Sequence, residues 1–285
     1  MKSRKSRKAE SKAARITKAA IYASFGIEYR KGKIKAPIYG WINPLLINGN
    51  KKLGNGVYTF STLPTNEIIS YFENGEKKEC KGTCLCTCKD ENGKKSCYAC
   101  GGCYTFNSTK LSLARKTILC RLCLDFVKRA IMAQIKADRI SICRIHAAGD
   151  FFSEGYITAW KEICLANPAC LFWSYTKNPE AENAFDEIPN CNIVKSLIPG
   201  KGYNFGKAAY IISLYYALKA AGKSVWICRC GVDSEQHCTN CRHCAECEYV
   251  LFLEHGTSYK PEEDPCFPAF VALVESQTEE AQAAD

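Results

Sequence analysis

Twenty cysteines in 285 residues constrain this chain more than any other feature, because so many thiols require disulfides, metal ions or burial. Disulfide frameworks are typical of short secreted chains, but the N-terminal sequence MKSRKSRKAESKAARITKAA has neither an apolar signal segment nor a cleavage site. We therefore expect a reducing, cytoplasmic environment and cysteines that bind metal. No apolar run is long enough to cross a bilayer, so we expect no membrane association.

Most of the cysteines fall into two groups, each within one loop. The first group, in loop 80–103, contains Cys80, Cys84, Cys86, Cys88, Cys97, Cys100 and Cys103. The second group, in loop 228–247, contains Cys228, Cys230, Cys238, Cys241, Cys244 and Cys247. The scattered cysteines are interpreted as core residues, since cysteine is a common small buried side chain; they are Cys120, Cys123, Cys143, Cys164, Cys170, Cys191 and Cys266.

The second group predicts a metal centre. Four cysteines in Cys238–Cys247, each separated by two residues, resemble the ferredoxin-type run that binds a [4Fe–4S] cluster. Zinc sites more often take two ligands from each of two separated knuckles, and zinc is the alternative. In ferredoxin loops the fourth cysteine often serves another cluster, so Cys228 or Cys230 could replace one member of the run.

The first group predicts a further metal site. Cys97, Cys100 and Cys103 could hold a [4Fe–4S] cluster with one iron open to a non-protein ligand. The remaining thiols of the group exceed the needs of one cluster, so a second cluster or a zinc ion is also expected there. The alternative is a zinc knuckle that only fixes a loop.

Between the two groups, short β-rich runs alternate with helical runs, a pattern that predicts α/β structure. Strands are expected at 57–62, 140–145, 170–175, 192–197 and 224–228, and helices at 108–137, 153–166, 179–187 and 206–221. This order predicts a partial or complete (β/α) barrel, similar to a TIM barrel, with parallel strands and cysteine-rich metal-binding loops.

Polar residues follow the expected strands at the edge where such folds carry their chemistry. His146 and Asp150 are interpreted as general base and orienting acid, as metal ligands, or, with Gly149, as groups that bind a cofactor. Tyr175 is a further cofactor-binding candidate and Lys177 a further catalytic candidate. The structural alternative is a loop histidine at 146 and a helix N-cap at Asp150.

Charge divides the chain into three parts. The net charge of +10 lies entirely within residues 1–35, an expected basic arm. Residues 36–255 form the expected α/β domain, and residues 256–285 an acidic tail; both ends are interpreted as solvated extensions. The basic arm could neutralise phosphates, so nucleic acid is a possible partner.

The chain resembles a known family through five motifs, which span roughly residues 57–250: VYTFSTLP, CYACGGCY, RIHAAGDFFSEGYITAW, FWSYTK and CTNCRHCAEC. Their order is similar to that of the phage gene-product-88 family, whose members are mainly of unassigned function. This resemblance implies a phage or prophage protein of the host cytoplasm.

A more distant similarity is to radical S-adenosylmethionine enzymes. It implies that Cys97, Cys100 and Cys103 hold the open cluster and that Ala148-Gly149-Asp150 contacts S-adenosylmethionine. It also implies an auxiliary cluster at Cys238–Cys247. The two gaps in the first motif are both two residues long, which departs from the usual loop of that class.

Two functions follow from these observations. The first is an iron–sulfur (β/α) barrel protein, a redox or radical-type enzyme that acts on an unidentified small molecule at the carboxyl ends of the strands. The alternative is a cysteine-rich, metal-stapled nucleic-acid-binding protein without catalysis. The neutral charge of residues 36–285 favours the first, because it gives the body of the protein no evident basic face.

Overall fold

A computed structural model describes residues 12–49, 53–87, 97, 99, 101–196, 204–229, 232, 237–254 and 259–284. Within these residues the architecture is mixed α/β, with sheets of different size. The described strands form open sheets rather than a closed barrel, so the prediction of parallel α/β structure is confirmed only at that coarser level.

The central sheet has five strands: β4 (Ile47–Asn48), β5 (Val57–Thr59), β8 (Ile142–Ile145), β9 (Leu171–Thr176) and β10 (Cys191–Lys195). They lie in the order β10-β9-β8-β5-β4. All adjacent pairs are parallel except β4 and β5, which are antiparallel. β8 and β9 lie between other strands and are largely buried on both faces, as expected for parallel strands covered by helices.

Helices connect and cover these strands. They are α2 (Asn107–Leu122), α3 (Leu124–Asp138), α4 (Glu154–Leu165) and the short α5 (Pro179–Glu182). The single helix expected at 108–137 is interrupted at Cys123, whose backbone leaves the helical region with φ −140° and ψ 45°. Leu119 of α2 and Phe126 of α3 both lie in the main core.

The strand expected at 224–228 belongs to a second sheet, not to the central one. This sheet contains β11 (Phe205–Gly206), β12 (Val225–Ile227) and β13 (Tyr249–Leu253), all parallel, in the order β11-β13-β12. Helices α6 (Ala208–Ala220) and α8 (Phe267–Ala284) pack on it and on each other to form a separate core.

Smaller elements precede the central sheet or are inserted in it. Helix α1 (Lys12–Ser24) leads into the antiparallel β1 (Tyr29–Arg30), β2 (Lys33–Ala36) and β3 (Gly40–Ile42). A hairpin of β6 (Ile68–Glu73) and β7 (Glu76–Lys81) follows β5 and packs on α2.

The two terminal segments are not simply solvated extensions, and that interpretation was wrong for the described parts. Tyr22 of α1 is buried against the core of the central sheet and stacks on Tyr29 at a ring distance of 4.8 Å. Phe270 and Val274 of α8 are buried in the core of the second sheet. Helices α1 and α8 each carry part of the charge of their segment and also contribute apolar side chains to a core.

Candidate functional site

Four thiols of the second cysteine group line one small cavity. Cys228 directly follows β12, Cys238 and Cys241 lie in the short helix α7 (Cys238–Cys241), and Cys244 lies in a 3-10 helix (His243–Ala245). The other residues that line the cavity are Trp173, Trp226, Arg229, Arg242 and Val250. The fold thus brings together two segments that are separated along the chain.

A left-handed turn directs these thiols. Arg242, between the two short helices, has φ +56°, and its carbonyl accepts a hydrogen bond from the backbone N–H of Ala245 at 2.8 Å. Cys247 is not among the residues that line the cavity, although it packs beside two of them, Trp226 and Val250. Cys228 lines the cavity together with three members of the run, which is one of the substitutions that the spacing left open.

The thiol of Cys244 is held by a tyrosine. The Tyr175 hydroxyl donates a hydrogen bond to Cys244 Sγ at 2.9 Å, and the guanidinium of Arg144 lies 4.9 Å from the centre of the Tyr175 ring. Burial raises the pKa of Cys244 to about 12, so the free thiol stays protonated at neutral pH. A metal ion that bound this sulfur would take the place of its proton at neutral pH. Tyr175 therefore contacts one of the cavity's thiols without lining the cavity itself.

The cysteine loop also joins the two sheets. Asn192 of β10 donates hydrogen bonds from Nδ2 to the carbonyl oxygens of Cys244 and Cys247, both at 2.9 Å. The backbone N–H of Lys195 donates to the carbonyl of Glu248 at 3.0 Å. A metal bound in the cavity would therefore stabilise the junction between the sheets as well as the loop.

A second polar site lies at the carboxyl ends of β8 and β9. Asp150 is buried, and its Oδ1 accepts hydrogen bonds from the Thr176 hydroxyl at 2.6 Å and from the Phe151 N–H at 2.8 Å. Its Oδ2 accepts one from the Lys177 N–H at 2.9 Å. Burial raises the pKa of Asp150 although these hydrogen bonds oppose the rise. The carboxylate thus ties the end of β8 to the end of β9.

Close packing surrounds Gly149 in this site. Its backbone has φ +86°, and a Cβ at this position would overlap the hydroxyl of Thr62. The hydroxyls of Thr62 and Thr83 are 2.9 Å apart, and Thr83 Oγ1 accepts a hydrogen bond from the Asp150 N–H at 3.1 Å. Gly149 is therefore required by the backbone, whether or not it also binds a cofactor.

Three thiols of the first cysteine group lie near this strand-end site. Burial raises the pKa of Cys84, and the charges of Asp150 and Cys97 raise it further. Burial likewise raises the pKa of Cys86, which also interacts with Lys177 and Asp150. The positive charge of Lys177 acts on the thiols of Cys84 and Cys86 and opposes the rise in their pKa values. A role of Lys177 in catalysis stays a prediction.

The other predicted metal ligands are placed differently. Cys80 is in β7, where its Sγ accepts a hydrogen bond from Arg121 Nη1 at 3.8 Å, and Cys103 is exposed in a 3-10 helix (Gly102–Thr105). Cys88, Cys100 and Cys230 lie outside the described residues. Among those that are described, all cysteines are free thiols, and no three Cys, His, Asp or Glu side chains are close enough together to hold a metal ion. A metal in the four-thiol cavity would have to draw its ligands inward.

His146 lies in an aromatic core. It is 2% exposed, its ring contacts Phe151 and Trp160, and its Nε2 is 2.8 Å from the Tyr156 hydroxyl. Burial lowers the pKa of His146 to about 3, so the ring is neutral at physiological pH. This environment supports the structural interpretation of His146 better than that of a general base. The N-cap of α4 is Ser153, not Asp150.

Sequence reasoning did not predict that hydroxyl groups surround Asp150. Thr62, Thr83 and Thr176 come from separate segments and meet only in the fold. The only signal along the chain was the position of Thr62 and Thr176 at the ends of expected strands. Basic residues 2–8 of the expected nucleic-acid-binding arm lie outside the described residues.

The fold and the four-thiol cavity define a cysteine-rich α/β protein with a candidate thiolate metal centre between two sheets. Residues 44–256, most of the chain, match the family model described as Gene product 88, and the chain belongs to this family. The Gene 88 protein of Mycobacterium phage L5 is 39% identical over 61 residues, which are 21% of this chain and 24% of that protein. No solved structure matches the chain.

The family match confirms the resemblance to phage gene product 88, whereas nothing in these comparisons supports the resemblance to radical S-adenosylmethionine enzymes. Because the similarity to the phage L5 protein covers about a quarter of its length, it carries no activity over to this chain. Among the described helices, none has the length and apolar character that a membrane span requires.

Proposed function

We propose that this protein is an iron–sulfur protein whose cluster is held by Cys228, Cys238, Cys241 and Cys244. The observation that carries the proposal is the convergence of these four thiols, from two segments, on the wall of one cavity. Three of them come from the closely spaced cysteine run that resembles ferredoxin ligation.

The charge around the cavity supports an anionic metal centre. A cluster or a zinc ion bound by four thiolates has a net negative charge, which is costly to bury without compensation. Arg229 and Arg242 line the same cavity, and the positive charge of Arg144 acts on Cys244. These guanidinium groups are suited to offset the charge of the loaded centre.

The first cysteine group is proposed to form a second metal site. Cys84 and Cys86 each interact electrostatically with Cys97 and with Asp150 of the strand-end site. A redox reaction at this edge, with S-adenosylmethionine or another small molecule at an open iron, stays a prediction. Its test is a change in the electron paramagnetic resonance spectrum of the reduced cluster on addition of S-adenosylmethionine, and an unchanged spectrum would contradict it.

Anaerobic purification tests the main proposal. We expect a brown protein with iron and acid-labile sulfide in equal amounts and with broad visible absorption. Cys241→Ser and Cys244→Ser should each lower the iron content by at least half, because each removes a thiolate from the four-thiol cavity. Cys266→Ser is the matched control: it changes another partly exposed cysteine, packed in the core of the second sheet, and should keep the iron content unchanged.

Two outcomes would overturn the iron–sulfur proposal. Stoichiometric zinc without labile sulfide would identify the cavity as a zinc site. Equal metal loss in Cys241→Ser and in Cys266→Ser would show that the ligands have been assigned wrongly.

A further inference from the structure

Four cysteines that the sequence suggests are isolated core residues lie together on one face of the central sheet. Cys143 of β8 and Cys191 of β10 are both in register with Phe172 of β9, so the three side chains lie on the same side of the sheet. Cys164 of α4 interacts electrostatically with Cys143, Cys170 and Cys191. Cys170, just before β9, interacts with Cys143 and Cys191. This buried thiol cluster is separate from both cysteine loops.

Two members of the buried thiol cluster interact more strongly than the others. Burial raises the pKa of Cys164, and its interaction with Cys191, the largest that it makes with any side chain, raises it further. Cys164 is fully buried, whereas Cys191 is partly exposed at the start of β10. Cys191 is therefore the residue of the pair that an external reagent would reach first.

The backbone around this pair is fixed by one side chain. Asn190 Nδ2 donates hydrogen bonds to the carbonyl oxygens of Cys164 at 3.0 Å, Asn167 at 3.0 Å and Cys170 at 2.9 Å. These bonds hold the end of α4 against the start of β10. The segments that carry the two thiols are therefore held together in the folded protein.

We propose that Cys164 and Cys191 are a redox-active dithiol that low-molecular-weight disulfides, of the glutathione disulfide class, convert into a reversible intramolecular disulfide. This site is independent of the proposed metal centre, since none of its cysteines lines the four-thiol cavity.

The reaction has two exchange steps. The Cys191 thiolate attacks one sulfur of the external disulfide, forms a mixed disulfide and releases one external thiol. Cys164 then loses its proton and attacks the Cys191 sulfur, which forms the protein disulfide and releases the second external thiol. The protein loses two electrons and two protons, and the external disulfide gains them. Burial raises the pKa of Cys164, so the second step should limit the rate.

The test is oxidation of the folded full-length chain with glutathione disulfide. After the remaining thiols are blocked with N-ethylmaleimide, a non-reduced digest is analysed by mass spectrometry. We expect a linked peptide pair that contains Cys164 and Cys191, its disappearance after dithiothreitol treatment, and a rise of several degrees in Tm while the bond is present. Chain oxidised in urea is the positive control for detection of this peptide pair.

Variants separate this pair from general thiol oxidation. Cys164→Ala should stop the reaction at glutathionylated Cys191, and Cys191→Ala should leave Cys164 unmodified. Cys143→Ala changes another fully buried member of the cluster and should still form the bond. Absence of the linked peptide from the folded chain, when the urea control yields it, or a link from Cys191 to Cys170 instead, would overturn the proposal.

Discussion

Lys116 of α2 places a positive charge inside the protein. Its side chain is buried, and its ammonium group has no hydrogen-bond partner within the described structure. The ring of Phe60, whose centre is 5.6 Å from Nζ, offers a cation–π contact. Burial lowers the pKa of Lys116 to about 8. The charged form is therefore more costly in the folded than in the unfolded chain.

Replacement of Lys116 by Met should stabilise the protein at pH 7. Each pKa unit corresponds to about 1.4 kcal/mol, so a fall from 10.5 to about 8 sets an upper limit of roughly 3 kcal/mol, and we expect a gain of about 1–3 kcal/mol. Between pH 8 and 10.5 the unfolded chain binds this proton and the folded chain does not, so the wild type gains stability as the pH rises. The advantage of Met should shrink accordingly.

Urea unfolding at pH 7 and pH 9.5, in the presence of a reductant, measures both effects. Lys136→Met, at an exposed position of α3, is the control and should change the free energy of unfolding by less than about 0.5 kcal/mol. A stability gain of Lys116→Met that is the same at both pH values would contradict the assignment to a buried charge.

Replacement of glycine by alanine should have opposite effects on stability at positions 149 and 155. Gly149→Ala combines a left-handed conformation with overlap on the Thr62 hydroxyl and should cost at least about 2 kcal/mol. Gly155 lies in α4 with open space around its missing Cβ, so Gly155→Ala should stabilise by about 0.5–1 kcal/mol. Thermal unfolding of the two variants should shift Tm in opposite directions; equal shifts would show that the environment of Gly149 has been misread.

At the scale of elements, side-chain amides of three helices bind backbone groups that have no neighbouring strand to pair with. Gln134 of α3 bonds the backbone N–H and C=O of Leu46, both at 2.8 Å. Gln277 of α8 does the same for Ile227 at the edge of β12, and Asn107 of α2 for Phe72 at the edge of β6. Each amide satisfies a donor and an acceptor that a neighbouring strand would otherwise bind.

Removal of the buried amide should be costly and removal of the exposed one should not. Gln277→Met leaves two buried backbone groups of Ile227 without partners and should cost about 2–4 kcal/mol. Asn107→Ala exposes the equivalent groups of Phe72 to water and should cost less than about 1 kcal/mol. Denaturant unfolding of both variants makes the comparison, and equal losses would refute the role of burial.

The periodic pattern of the sequence located most elements but not their ends or partners. Regular strand β5 ends at Thr59 rather than at Thr62, yet Phe60 and Thr62 still donate backbone hydrogen bonds to Arg144 and Ala148. The irregular course accompanies the left-handed backbone of His146, which no periodicity predicts. The assignment of β12 to a second sheet likewise depends on long-range pairing with β13, for which a strand pattern carries no signal.

For the candidate sites, too, the sequence predicted what depends on local spacing and not what depends on long-range contacts. Cysteine spacing indicated the loop that contributes three of the four thiols on the cavity wall; metal binding by these thiols stays a prediction. The spacing did not distinguish Cys228 from Cys247, since the approach of Cys228 to the loop depends on the long-range pairing of β12 with β13. The buried thiol cluster was invisible for another reason: its members come from four segments that meet only through sheet register and the packing of α4.

At the scale of the whole molecule, two cores meet at the cysteine loop. If a metal occupies the four-thiol cavity, its removal by a chelator should loosen the second sheet before the central one, because the loop contributes to the junction through Asn192 and Glu248. Hydrogen exchange should then show loss of protection in β12 and β13 and retained protection in β8 and β9. Equal loss in all four strands would mean that the two sheets unfold as one unit.

The parallel pairing of β5 with β8 has a consequence for synthesis on the ribosome. Val57 cannot pair with Ile142 until the ribosome has added roughly eighty more residues, which at about 5–20 residues per second takes about 4–17 seconds. The first cysteine group is translated within that interval, before the strands β8 and β9 that will shelter Cys84 and Cys86. Nascent chains would thus present these thiols to metal donors and oxidants before the fold closes, so the order of metal delivery and chain completion decides which chemistry reaches them first.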